Sequence, residues 1–173
     1  MRGHSGVQGG AEMGAYATAF PGGKPVNAQT AADLSRHYGF AVPDWPGWPT
    51  PRMVEAAERG EMDVLWSVGG NFLRTMPQPG RVEEAMRKIP LRVHQDILLT
   101  EQMLVDPAEA VILLPAQTRY EQPGGCTETT TERRVLFSPQ IPREVGEARC
   151  EWEIFRDLAK AVDGPRFAAS NFG

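Results

Sequence analysis

The sequence predicts an α/β fold: an open, mostly parallel sheet with helices on both faces. Three observations predict it. Short apolar runs near 62–70, 89–96 and 110–116 alternate with amphipathic stretches. The bodies of those runs are apolar almost throughout, as strands buried on both faces require. An amphipathic stretch at 150–162 then closes the order.

Taken along the chain, residues 1–27 read as loop, rich in glycine, with about one turn of helix near Met13–Ala19. Residues 30–38 (TAADLSRHY) have helical spacing, and Gly39 stands where a helix ends. Residues 40–51 (FAVPDWPGWPTP) hold four prolines and two tryptophans. Proline fixes φ and removes a donor, so no regular element forms there, and Trp45 and Trp48 are expected to pin the loop to the body. Residues 53–60 read as helix, 62–70 as a strand ending in glycines, 81–88 as helix and 89–96 as strand. Residues 100–109 read as a short helix or turn, and 110–116 (AVILLPA) as the most apolar strand. Helix 150–162 sets Trp152, Phe155, Leu158, Ala159 and Val162 on one side. With right-handed crossovers this order gives a Rossmann-like sheet.

Composition narrows the function. At 173 residues the chain can bury a core of one ordinary domain. A formal charge of −4 argues against a nucleic-acid partner. No apolar run reaches the roughly 18 residues that span a bilayer, and the first residues lack the apolar core of a secretory signal. Cys126 and Cys150 match no metal or redox spacing, so both are expected as reduced thiols, in keeping with a cytoplasmic location. Glycine and proline together make about a fifth of the chain, against a usual ~12%. Much of the chain is therefore ordered loop, and loops carry sites.

In open parallel sheets ligands bind beyond the carboxyl ends of the strands. Those ends read Gly69-Gly70-Asn71, then His94-Gln95-Asp96 followed by Thr100, then Pro115-Ala116-Gln117-Thr118 running into 120–125 (YEQPGG). All three are polar or glycine-rich while the strand bodies are apolar. Gly69 and Gly70 admit a ligand close to the backbone, Asn71 both donates and accepts, and Asp96 can accept two hydrogen bonds from a guanine edge or from ribose hydroxyls. Turns often use these residues anyway, but three in succession favour a nucleotide-like ligand. Neither a G-x-G-x-x-G fingerprint nor a phosphate-binding P-loop is present. His4, His37 and His94 have no ligand spacing.

Three blocks carry a resemblance. VQGGAEMGAYATAFPGG (7–23) resembles V-Q-G-x-x-D-M-G-x-x-P-x-x-x-P-G of molybdopterin-dependent oxidoreductases, formate dehydrogenases above all. HQDILLTEQMLVDPAEAVILLPA (94–116) is similar to their V-Q-D-x-x-x-T-E-T-A-x-x-A-D-V-V-L-P-A, and YEQPGGCTETTTERRV (120–135) to E-x-x-G-T-F-x-N-x-E-R-R-V. Glu12 stands where Asp is usual, and the last block carries two extra residues and has Cys126 in its middle.

The resemblance implies a central α/β domain that carries one of two pyranopterin guanine dinucleotides around molybdenum or tungsten. It divides the chain into a glycine-rich active-site loop (1–28), a molybdopterin guanine dinucleotide-binding domain (29–163) and a tail (164–173). It implies cofactor contacts at Asn71, Gln95, Asp96 and Glu151; Gly69, Gly70 and Thr100 from the strand ends, with Gln122, complete the expected cofactor-binding set. It sets Arg2 beside the metal, where a guanidinium can hold a carboxylate substrate; His4 is a further catalytic candidate. The family's cysteine cluster for a 4Fe-4S centre and its metal-ligating residue have no counterpart here. The stretch thus reads as one domain of a larger subunit, inactive alone, whose partners are the rest of that subunit and an electron-transfer subunit. The alternative is a stand-alone nucleotide- or pterin-binding, or interaction, domain without catalysis.

Overall fold

A computed structural model describes residues 5–130, 132–143 and 145–168. The chain divides into two compact units, residues 1–53 with 127–136, and residues 54–126 with 137–173.

The first unit opens on helix α1 (Ser5–Glu12), where the sequence reading expects loop. Spacing explains the miss: Gly6, Gly9 and Gly10 lower helix propensity, yet nothing in this stretch forbids i→i−4 bonding. A two-residue ladder follows, with β1 (Ala19–Phe20) antiparallel to β2 (Lys24–Pro25). Helix α2 (Ala28–Tyr38) begins on Asn27, whose side chain accepts from the Thr30 N–H at 2.9 Å. It ends at Gly39 in the left-handed conformation, as expected. Trp48 is half-buried under the Arg52 guanidinium, but Trp45 is 70% exposed. One tryptophan of the proline-rich stretch is therefore held and the other is not. Strands β6 (Cys126–Thr129) and β7 (Val135–Ser138) pair with each other in a two-stranded sheet.

The second unit holds the sheet. Helix α3 (Thr50–Glu58) leads to β3 (Val64–Val68), then come α4 (Phe72–Thr75), α5 (Pro79–Arg87), β4 (Leu91–Asp96), a 3-10 turn (Glu101–Leu104) and β5 (Ala110–Pro115). The order is β3-β4-β5, with both pairings parallel. Register sets Leu65 beside Arg92 and Ser67 beside His94 on one face, and Trp66 beside Val93 and Val68 beside Gln95 on the other.

On the Leu65 face, α5 contributes Val82, Ala85 and Met86 at helical spacing, and α3 contributes Ala57. With Ile89 and Val105 these form the buried cluster, ringed by Val54, Met62, Phe72, Leu73 and Met76. On the other face Trp66 stacks on Phe155 of α6 (Glu151–Val162), ring centres 5.7 Å apart. Helices thus flank both faces, as the sequence predicts.

Two expectations fail in degree. Strand β5 is the most apolar, yet Ile112 and Leu113 are exposed. It is an edge strand whose outer side carries a single parallel bridge, Ala116 to Arg149, and only a four-residue 3-10 turn lies between β4 and β5 to cover it. Helix α6 buries Ile154, whereas Phe155, Leu158 and Val162 on its expected inner side stay exposed. Helix α7 (Gly164–Phe167) follows it.

Candidate functional site

The carboxyl ends of β3, β4 and β5 lie side by side, and short-range bonding shapes each. After β3 the chain turns through Gly69 and Gly70, with φ of 67° and 79°, a region that favours glycine. The Gly69 N–H donates to the Gln95 carbonyl at 2.8 Å, fastening this turn to β4. Asn71 then opens α4, its carbonyl accepting from the Thr75 N–H and hydroxyl.

The 3-10 turn holds that loop from above. Gln102 accepts from the Phe72 N–H at 2.7 Å and donates to the Gly70 carbonyl at 2.8 Å. Asn71 Nδ2 donates to Glu101 at 2.6 Å, and Arg74 pairs with the same carboxylate. The Arg74 guanidinium, backbone bonding and Asn71 hold the Glu101 pKa down at about 2. The turn is in turn fixed to β4 by Arg92, fully buried, whose guanidinium donates to the carbonyls of Gln102 and Val105. Burial, with Arg87 nearby, lowers the Arg92 pKa from its usual value.

A set of buried polar atoms on this crest has no hydrogen-bond partner: Oδ1 of Asn71, both ring nitrogens of His94, both amide atoms of Gln95, Oγ1 of Thr100 and Oε1 of Gln117. Buried polar groups are nearly always paired, so these unmatched atoms, which fall near the strand ends on both faces of the sheet, make this crest the candidate site. His94 is 1% exposed and Gln95 fully buried. Burial lowers the His94 pKa, helped by Arg92 and opposed by Asp96, so the ring is neutral near pH 7. Asp96 is half-buried and its Oδ1 accepts from the Ile97 N–H at 2.7 Å. His94 and Asp96 line a pocket of about 280 Å³ whose other walls include Leu98, Leu99, Met103 and Leu113. A second pocket, about 470 Å³, is lined by Gln117, Glu121, Pro123, Gln140, Pro142 and Arg143.

The structure brings Gly69, Gly70, Asn71, Gln95, Asp96 and Thr100 to one crest. Glu151 opens α6, two residues past Arg149, which bridges to Ala116 just beyond β5. Gln122 lies between two residues lining the second pocket and caps the turn, its carbonyl accepting from the Gly125 N–H. Arg2 and His4 lie outside the described residues. Sequence reasoning did not select His94, Gln102 or Gln117 as site residues, nor the supports Arg92 and Glu101. One signal was there: Arg92, His94 and Asp96 recur at every second residue of β4, on one face of a strand set among apolar neighbours.

Both cysteines are free. Cys150 is buried, and burial, then Glu153, raises its thiol pKa. Among the described residues, no group of three or more His, Cys, Asp or Glu could hold a metal ion, and no helix is long and apolar enough to cross a membrane.

The sequence profile of the molybdopterin oxidoreductase family matches residues 6–161. The chain belongs to that family. Among the relatives of this chain, a nitrate reductase of Synechocystis is 30% identical over 167 residues, covering 94% of this chain and 22% of the relative. A formate dehydrogenase 1 alpha subunit of Methanococcus maripaludis is 30% identical over 169 residues, covering 94% and 23%. A Staphylococcus haemolyticus relative, also 30% identical, is covered over 16% of its length. The chain thus spans about a sixth to a quarter of the length of the curated relatives it matches.

Proposed function

We propose that this stretch serves a formate dehydrogenase-type oxidoreductase by seating the guanine nucleotide end of a molybdopterin guanine dinucleotide on the crest of its sheet. The observation that carries this reading is the row of buried, unpartnered polar atoms at Asn71, Gln95, Thr100 and Gln117. Such atoms are costly unless a ligand or another part of the protein satisfies them, and the family's cofactor brings donors and acceptors of the matching kind. The donor set therefore fits the group.

When bound, the cofactor supplies a molybdenum or tungsten centre able to take two electrons from a small substrate such as formate. This chain's own residues bind and orient. Asp96 accepts from a base or ribose, Asn71 and Gln95 donate and accept, and Gly69-Gly70 lets the backbone approach. Gln122 and Glu151 flank the same edge. By the resemblance, Arg2 would hold the carboxylate of the substrate, and His4 is a further candidate on the substrate side. The names of the relatives, a nitrate reductase and a formate dehydrogenase alpha subunit, support an oxidoreductase parent. The small share of those relatives that the chain covers supports further domains of one subunit as its partners. A 4Fe-4S centre elsewhere in that subunit and an electron-transfer subunit would carry electrons away, in the cytoplasm.

Calorimetry with GDP tests the reading. The isolated chain offers only one side of a cofactor cleft, so a Kd on the order of 1 mM is expected, lost in Asp96→Ala. No heat in either protein, or equal binding by both, would contradict the proposal. Nanomolar binding would favour a stand-alone nucleotide carrier instead.

A further inference from the structure

Strand β3 leaves one edge of its backbone unpaired. The Asp63 carbonyl accepts from the Leu91 N–H, and the Gly69 N–H donates to the Gln95 carbonyl. The odd-numbered residues between them therefore bond to β4, and the N–H and C=O groups of Val64, Trp66 and Val68 point to the other side. Among the described residues, no strand pairs with β3 on that side and no backbone hydrogen bond reaches those groups.

Sheet edges that end in water are usually blunted by proline, charge, a bulge or a covering segment. The β5 edge is blunted in this way. Pro115 has no N–H to offer, the Arg149 N–H donates to the Pro115 carbonyl at 3.0 Å, and the Arg149 carbonyl accepts from the Gln117 N–H at 2.9 Å. Strand β3 (VLWSV) has no proline and no charge. On the α6 side of the sheet, Val64 and Val68 are 53% and 48% exposed, one on each side of Trp66. Phe155, which stacks on Trp66, begins an exposed apolar row on α6 with Leu158 and Val162. A bare backbone edge with apolar side chains next to it on one face is the footprint of a strand and its helix.

We infer that a strand from elsewhere in the same subunit pairs with the free edge of β3, and that the helix joined to it covers Val64 and Val68. Two observations select this occupant. The sheet has three strands, where sheets commonly hold about four to six. The chain also spans only 16% of one relative and 23% of another, so a subunit of their length has ample chain to supply the unit. A second copy related by a two-fold axis would pair β3 with itself antiparallel. Both existing pairings are parallel, and purely parallel sheets are over-represented. The inference concerns the sheet edge and holds whether or not the crest seats a nucleotide.

Amide hydrogen exchange tests it, read residue by residue across β3 in this chain and in the intact subunit that carries it. In this chain the Val64, Trp66 and Val68 amides are expected to exchange fast, while those of Leu65 and Ser67 are protected by β4. In the intact subunit the first three are expected to slow by about a hundredfold or more. The thiol introduced by Val64→Cys is expected to react with iodoacetamide about tenfold more slowly there than in this chain. Fast exchange at all three amides in the intact subunit overturns the inference. Concentration-dependent protection of them in this chain alone, with a dimer in sedimentation, also overturns it and assigns the edge to a second copy. Slowed amides with an unchanged thiol rate keep the strand and overturn the helix. The exchange readout uses unmodified protein, so it does not depend on the variant folding.

Discussion

Replacing Gln102 by leucine tests whether the 3-10 turn positions the ligand edge. Leucine keeps most of the side-chain volume and removes only the amide. The native amide accepts from the Phe72 N–H at 2.7 Å and donates to the Gly70 carbonyl at 2.8 Å, with a longer contact to Ser67 Oγ at 3.5 Å. Two good hydrogen bonds contribute about 1 kcal/mol each, and their partly buried backbone partners, left unmet, add a penalty of similar size. The expected loss is about 3 kcal/mol. For a chain of this length that lowers Tm by roughly 6–12 °C. Urea and thermal denaturation measure the loss, and backbone NMR checks that the largest shifts fall on residues 69–72. A loss under about 0.5 kcal/mol, the usual range for a surface substitution, would refute the claim that Gln102 holds this turn.

Other outcomes follow from the same geometry. At Gly125, with φ of 77°, an added Cβ would stand 2.3 Å from the Ser138 carbonyl oxygen and 2.9 Å from the Gln140 nitrogen. Gly125→Ala should therefore cost on the order of 2 kcal/mol or more in urea denaturation. Because burial lowers the His94 pKa in the folded chain, the unfolded chain takes up the proton first as pH falls. The stability from His94 is then complete above its ordinary value near 6.5 and is lost as pH falls from there toward the folded pKa; His94→Val should flatten that part of the stability curve. Buried Cys150, its thiol pKa raised, should resist iodoacetamide long after half-buried Cys126 has reacted, as peptide mass spectrometry can follow.

The sheet was legible because β3 and β5 are near-continuous apolar runs, set apart by amphipathic helices, and period and length suffice to separate those. The crest was legible for the same reason: Gly69-Gly70-Asn71 and Gln95-Asp96 are polar where their strands stop. Burial within the sheet was not legible. The sequence of β5 is that of a central strand, yet its exposure follows from its place at the edge, which pairing decides and composition does not. Helix α1 was missed because glycine lowers helix propensity without forbidding the helix. Gln102 was missed because its partners lie about thirty residues upstream, and no local pattern reports a bond of that span.

The central claim is that Asn71, Gln95 and Asp96 seat the nucleotide of a molybdopterin cofactor. Its most direct test is made in the intact subunit that carries this stretch. GMP released by acid hydrolysis and bound metal are measured per polypeptide, for the native protein and for Asp96→Ala combined with Asn71→Ala, both confirmed folded by circular dichroism. The account predicts that GMP and metal fall together in the variant, by about tenfold or more, as loss of two hydrogen-bonding side chains implies. Native levels of both in a folded variant would contradict it.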